Sequence, residues 1–187
     1  MEKLWIKGPL FGSFSIQVYG QYQGAYSLRI AQGGKPFLKL ALRRYIFKGR
    51  QQDFILSVST GNVATIEKSV RISSLHQDLR DSYDAELLGP KELFAELSHR
   101  LDKLDKYFAD KDSSKARHEL EKFQEKIDQV RKETVKTELK KQKLPKHFIS
   151  KDAYEILTED VSILLKHLPL DKKGKGEKQS QRLQQKM

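Results

Sequence analysis

The chain contains no cysteine among its 187 residues. That one absence removes disulfide bridges, thiolate metal sites and cysteine nucleophiles together. It leaves the compartment open, because exported proteins can also do without cysteine. No apolar run approaches the ~18 residues of a membrane span. No charged opening followed by an apolar core reads as a signal segment. Met1-Glu-Lys-Leu-Trp instead enters what reads directly as a strand. If the parent protein is exported, the chain is expected to be a downstream piece of it. Assembled catalytic motifs are missing too. There is no Gly-x-Ser-x-Gly elbow. Gly33-Gly-Lys-Pro reads as a plain turn, lacking the glycine spacing and the Ser/Thr of a phosphate loop. The expectation is a non-enzyme that uses no cofactor and no metal.

What the chain has in excess is positive charge, +11 overall. The excess is uneven. Residues 1–72 hold 11 Lys/Arg against 3 Asp/Glu, residues 73–168 hold 19 against 20, and residues 169–187 hold 6 against 2. A basic upstream part suits polyanions of several kinds, including cell-wall polymers, acidic polysaccharides and nucleic acid.

Residues 3–72 read as strands. Phe14, Ile16 and Val18 alternate with Ser15, Gln17 and Tyr19, the period of a half-buried strand. Gly20 to Gly24 signals a turn, and Tyr26, Leu28 and Ile30 alternate again. Further runs begin at Phe37, Arg44 and Asp53, and a last strand is expected over Val63 to Ile72. Five to seven short strands predict a small antiparallel β-sandwich or meander.

Residues 73–168 switch to helical period. Ser73 or Ser74 is placed to cap a helix carrying Leu75, Leu79 and Tyr83. Pro90 fits the first position of the next helix. Leu93, Phe94, Leu97, Leu101, Leu104 and Phe108 form one stripe, and Ala116, Leu120, Phe123, Ile127 and Val130 form another after a short polar break. The second helix is expected to run on as a solvated, lysine-rich extension from Arg131 until Leu144-Pro145 stops it. Ser150 caps a last helix with Ala153, Ile156, Leu157, Val161, Leu164, Leu165 and Leu168 inward. The fold class expected is α+β, an antiparallel β module followed by a three- to four-helix bundle, with residues 169–187 a disordered basic tail.

Gly12-Ser-Phe-Ser-Ile-Gln-Val-Tyr-Gly with Gly24-Ala-Tyr-Ser-Leu-Arg-Ile resembles paired strands of the pre-peptidase-C-like β modules of exported bacterial proteins. Leu97, Leu101, Ala116, Leu120, Phe123, Ile127 and Val130, continued by Ile149, Ala153, Leu157 and Val161, resemble the core positions of the FIMAH-type helical domain. The lysine-rich stretch from Arg131 to Phe148 departs from the short link usual there. The resemblance implies a non-catalytic accessory, attachment or spacer region at the cell surface or outside it, joined to an upstream domain of a larger parent. It transfers no active site. The alternative is an intracellular nucleic-acid-binding protein using the basic sheet and tail.

Arg43, Arg44, Tyr45, Lys48 and Arg50, with Phe47 among them, are the candidate ligand-binding residues, a basic run set with aromatics. The plainer reading is a charged strand edge that resists pairing with neighbours. Trp5, Tyr19, Tyr22 and Tyr26 could stack on a sugar, although core or interface packing is the expectation. The five histidines show no i,i+4 ligand pair. Asp102 with Asp105, and Glu119 with Glu121, read as members of solvated ion pairs.

Overall fold

The computed structural model describes residues 12–28, 31–32, 35–36, 42–58, 64–140, 143 and 145–169. Trp5, Ile30, the run 37–41, the turn 60–63 and the expected tail beyond residue 169 therefore lie outside the described residues, as do Gly33 and Gly34. Among the described residues four helices and small antiparallel sheets make an α+β arrangement.

The described residues open with strands β1 (Gly12–Tyr19), β2 (Gly24–Leu28), β3 (Ala31–Gln32), β4 (Lys35–Pro36), β5 (Leu42–Ile46), β6 (Gln51–Val58) and β7 (Ala64–Lys68). Strand does not simply follow strand across a sheet. The pairing is nested: β1 with β6, β2 with β5, β3 with β4, all antiparallel, and β7 joins the free edge of β6. Gly12 faces Val58 and Gly24 faces Ile46, so one register runs through both outer pairs. The described strands β1, β2, β5 and β6 thus follow one hairpin path, its two pairs separated at 20–23 and 47–50.

Gly20 holds that interruption together. Its N–H donates to the Arg50 carbonyl at 2.8 Å, and its carbonyl accepts from the Gly49 N–H at 2.7 Å. A Cβ there would stand 2.5 Å from the Phe47 carbonyl oxygen, so the approach requires glycine. Period two then places Phe14, Ile16 and Val18 with Phe54, Leu56 and Ile66 on one face, and Tyr26 and Leu28 pack against that cluster.

The helices are α1 (Ile72–Asp84), α2 (Lys91–Ala109), α3 (Ser113–Leu139) and α4 (Lys151–His167). The expected strand over Val63 to Ile72 is shorter than the sequence suggested. The ladder ends where the Ser69 N–H reaches Asp53, and Ile72 already opens α1. Neither Ser73 nor Ser74 is the N-cap, which is Arg71; both lie in the first turn, and the Ser74 hydroxyl accepts from the Arg71 N–H at 3.4 Å. Pro90 is itself the N-cap of α2. Asp112 and Ser150 cap α3 and α4 by accepting from Lys115 N–H and Ala153 N–H.

The two apolar stripes meet as the spacing requires. Leu93, Leu97, Leu101 and Leu104 of α2 and Ala116, Leu120, Phe123 and Ile127 of α3 are fully buried, with Leu75, Leu79, Ala153, Leu157 and Val161 closing the same core. Each of the leucine, isoleucine, valine and phenylalanine side chains among them contributes about 1.5–3 kcal/mol on burial. A two-residue ladder, β8 (Leu88–Gly89) with β9 (Phe148–Ile149), ties the α1–α2 connection to the α3–α4 connection. At the end of α4 the Arg117 guanidinium donates to the carbonyls of Leu165, Leu168 and Pro169, supplying partners that a helix C-terminus lacks. The extension of α3 is not wholly solvated, since Thr134 is buried within it.

Candidate functional site at the strand–helix junction

The basic run falls on β5, the following turn and the start of β6. Arg43 pairs in register with Ser27. Arg44 lies in phase with Ile46, on the strand face that meets α4, and forms an ion pair with Glu159 there. Tyr45 is half-buried, its ring edge-on to Phe47 at 5.3 Å. Lys48 is exposed in the turn. Arg50 crosses to α1, where its Nε and Nη2 donate to the two carboxylate oxygens of Asp81 at 2.7 and 2.8 Å. That bidentate geometry is the strong form of an ion pair. Asp81 is itself buried and also accepts from Gln77 at 2.9 Å. The contiguous run therefore divides. Arg44 and Arg50 face carboxylates of the chain's own helices, and Lys48 keeps its charge in solvent.

A third cation, which the sequence reading passed over, sits between those two. Lys68 closes β7 in phase with Ile66 and is 7% exposed. Its Nζ donates to Asp160 of α4 at 2.5 Å and to Asp78 of α1 at 3.2 Å. Burial pulls the Lys68 ammonium down, but the two carboxylates outweigh it and hold the group above its ordinary value. Burial pushes the Asp160 carboxyl well above the usual carboxylate range, against Lys68 and with a further rise from Asp78. Glu159 is raised by burial as well, against the pull of Arg44 and Lys68. Tyr26 completes the junction. Its hydroxyl donates to Gln52 Oε1 at 2.6 Å, Gln52 Nε2 donates to the Tyr45 carbonyl, and burial raises the phenol.

The remaining candidates separate cleanly. Tyr19 and Tyr22 are 64% and 80% exposed, so packing claims Tyr26 but not those two. Glu119 is buried and accepts from Arg100 of α2 at 2.9 Å, whereas Glu121 is exposed. His99 and His118 are exposed. His76 instead comes to Asp105, its Nε2 2.9 Å from the carboxylate, with Asp102 beside them. No i,i+4 pattern signals that trio, because α1 supplies the imidazole and α2 the carboxylates. Among the described residues no helix is long and apolar enough to cross a membrane. No protein-family model, curated protein or solved structure matches the chain.

Proposed function

We propose that the chain is a non-catalytic accessory region of an exported protein, serving attachment or spacing. In it a small β-sandwich and a helical bundle act as one unit, and the contact surface for a polyanionic cell-wall polymer is the turn carrying Lys48 beside Tyr45 and Arg43. The observation that supports this reading is the junction itself, where three cations of the strand part meet four carboxylates of α1 and α4. Ion pairs with buried members hold register and orientation between packed elements, which suits a part whose role is to set a distance. The resemblance of the two halves to accessory modules of exported bacterial proteins points the same way.

The test is a salt titration of binding by the full chain and Lys48→Ala, against insoluble cell-wall polysaccharide and duplex DNA. The expected result is wall binding that survives about 150 mM salt and weakens several-fold in Lys48→Ala, with DNA binding lost over the same range. DNA binding that persists at that salt, with no retention on the wall polymer, would establish the nucleic-acid alternative instead.

A further inference from the structure

We propose that His76, Asp102 and Asp105 form a binding site for a divalent cation of the zinc class (zinc, cobalt or nickel) bridging α1 and α2. One ligand atom from each residue lies within 4.8 Å of the other two. His76 Nε2 and Asp105 Oδ2 stand 2.9 Å apart. Ligands about 2.0–2.2 Å from such an ion stand roughly 3–3.5 Å apart, so rotation of the exposed Asp102 side chain closes the set. Asp102 and Asp105 are three residues apart on α2 and share a face. His76 arrives from the neighbouring helix, and the packing that fixes its approach is close: Tyr83 of α1 stacks on Phe94 of α2 at 4.5 Å. Two packed helices thus set the ligand geometry, and no loop contributes.

The mixture of donors selects the ion. One imidazole and two carboxylates suit zinc, cobalt or nickel better than calcium, which takes six to eight oxygens. The positions left over face a cleft of about 520 Å³ whose wall includes the hydroxyl-bearing Ser73 and Ser98. Arg80 lines the same cleft and opposes a cation, but the two carboxylates outweigh its single charge. A hydrogen-bonded surface pair would account for His76 and Asp105 alone. A bound cation would engage Asp102 as well, one turn from Asp105.

Calorimetric titration of the full chain with zinc chloride tests this, using the natural chain, His76→Ala, Asp102→Asn and, as a control, His99→Ala at an exposed position of α2. One ion per chain is expected, with affinity lowered ~10-fold or more in His76→Ala and Asp102→Asn. His99→Ala should bind as the natural chain does. A second readout needs no variant: nickel added to the natural chain should broaden the amide resonances of residues 74–78 and 100–107 first. Equal zinc affinity in the natural chain and His76→Ala, or broadening centred on another histidine, overturns the proposal.

Discussion

Lys68 occupies a position where an alternating strand would ordinarily place an apolar side chain, and burial raises the nearby carboxyls of Asp160 and Glu159. The Asp160 carboxyl is fully buried, and among the described residues its Oδ2 has no hydrogen-bond partner. A retained proton relieves both costs, because the carboxyl can then donate toward Asp78. The sign of the linkage follows. A carboxyl that holds its proton more tightly when folded than when unfolded gives its full stabilisation below the unfolded value, about 3.9 for aspartate. That contribution is lost as pH rises from there through the elevated folded value. Glu159 acts in the same direction, whereas Lys68, raised above its ordinary range, keeps its contribution until alkaline pH. Urea midpoints should therefore fall for the natural chain as pH rises from about 4. They should fall less for Asp160→Asn, which keeps the shape of a protonated carboxyl and cannot ionise. Equal slopes in the two chains would mean that Asp160 is ionised throughout. The signal for these residues was present in the sequence: Lys68 is two residues from Ile66 and Arg44 two from Ile46, so period two puts both cations on inward faces. Reading the charges as a run rather than by phase hid it.

At the scale of elements, the apolar stripes of α2, α3 and α4 were legible because 3.6-residue period alone fixes which face is buried. The nested strand pairing was not, since period two assigns faces but never partners, and β1 meets a strand that begins 32 positions after it ends. The later turns of α3 show a different failure. A lysine-rich stretch reads as solvated, yet its fourth residue is an anchor. Thr134 is 1% exposed; its hydroxyl donates to the Val130 carbonyl at 2.9 Å and accepts the Ile149 N–H of β9 at 3.2 Å. Arg131 adds a bond to the Ile149 carbonyl at 3.0 Å. Together they hold the entry to α4 against α3. Thr134→Val keeps the volume but leaves a buried N–H without its acceptor, and should cost about 1–3 kcal/mol in chemical denaturation. Thr137→Val, one turn further along, removes only a local bond from Thr137 to the Glu133 carbonyl and should stay within about 0.5 kcal/mol. If both variants cost the same, the contact to β9 carries no weight.

The whole molecule rests on two apolar clusters of very different size. Among the described residues, eighteen buried side chains form the helical cluster and three, Phe54, Leu56 and Ile66, form the buried centre of the strand cluster. With Phe14, Ile16, Val18, Tyr26, Leu28 and Val58 only partly covered around that centre, the described strands have little apolar hold of their own. The strand part instead gains order where its three cations meet the carboxylates of α1 and α4. Dependence should then be one-sided. Residues 69–169, expressed without the strands, expose Asp78, Asp81, Glu159 and Asp160 to water, where carboxylates are readily solvated, and retain the whole helical cluster. They should keep their helical circular dichroism and melt cooperatively. Residues 1–68 lose the partners of Arg44, Arg50 and Lys68 together and should show no cooperative transition. In the full chain the strand signal should disappear at or below the temperature at which the helical signal does, because the strands stay ordered only while the helices do. A cooperative melt of residues 1–68 on their own would overturn this order of dependence. It would also make the junction a contact between two self-sufficient parts, removing the support that a single unit gives to the spacing role.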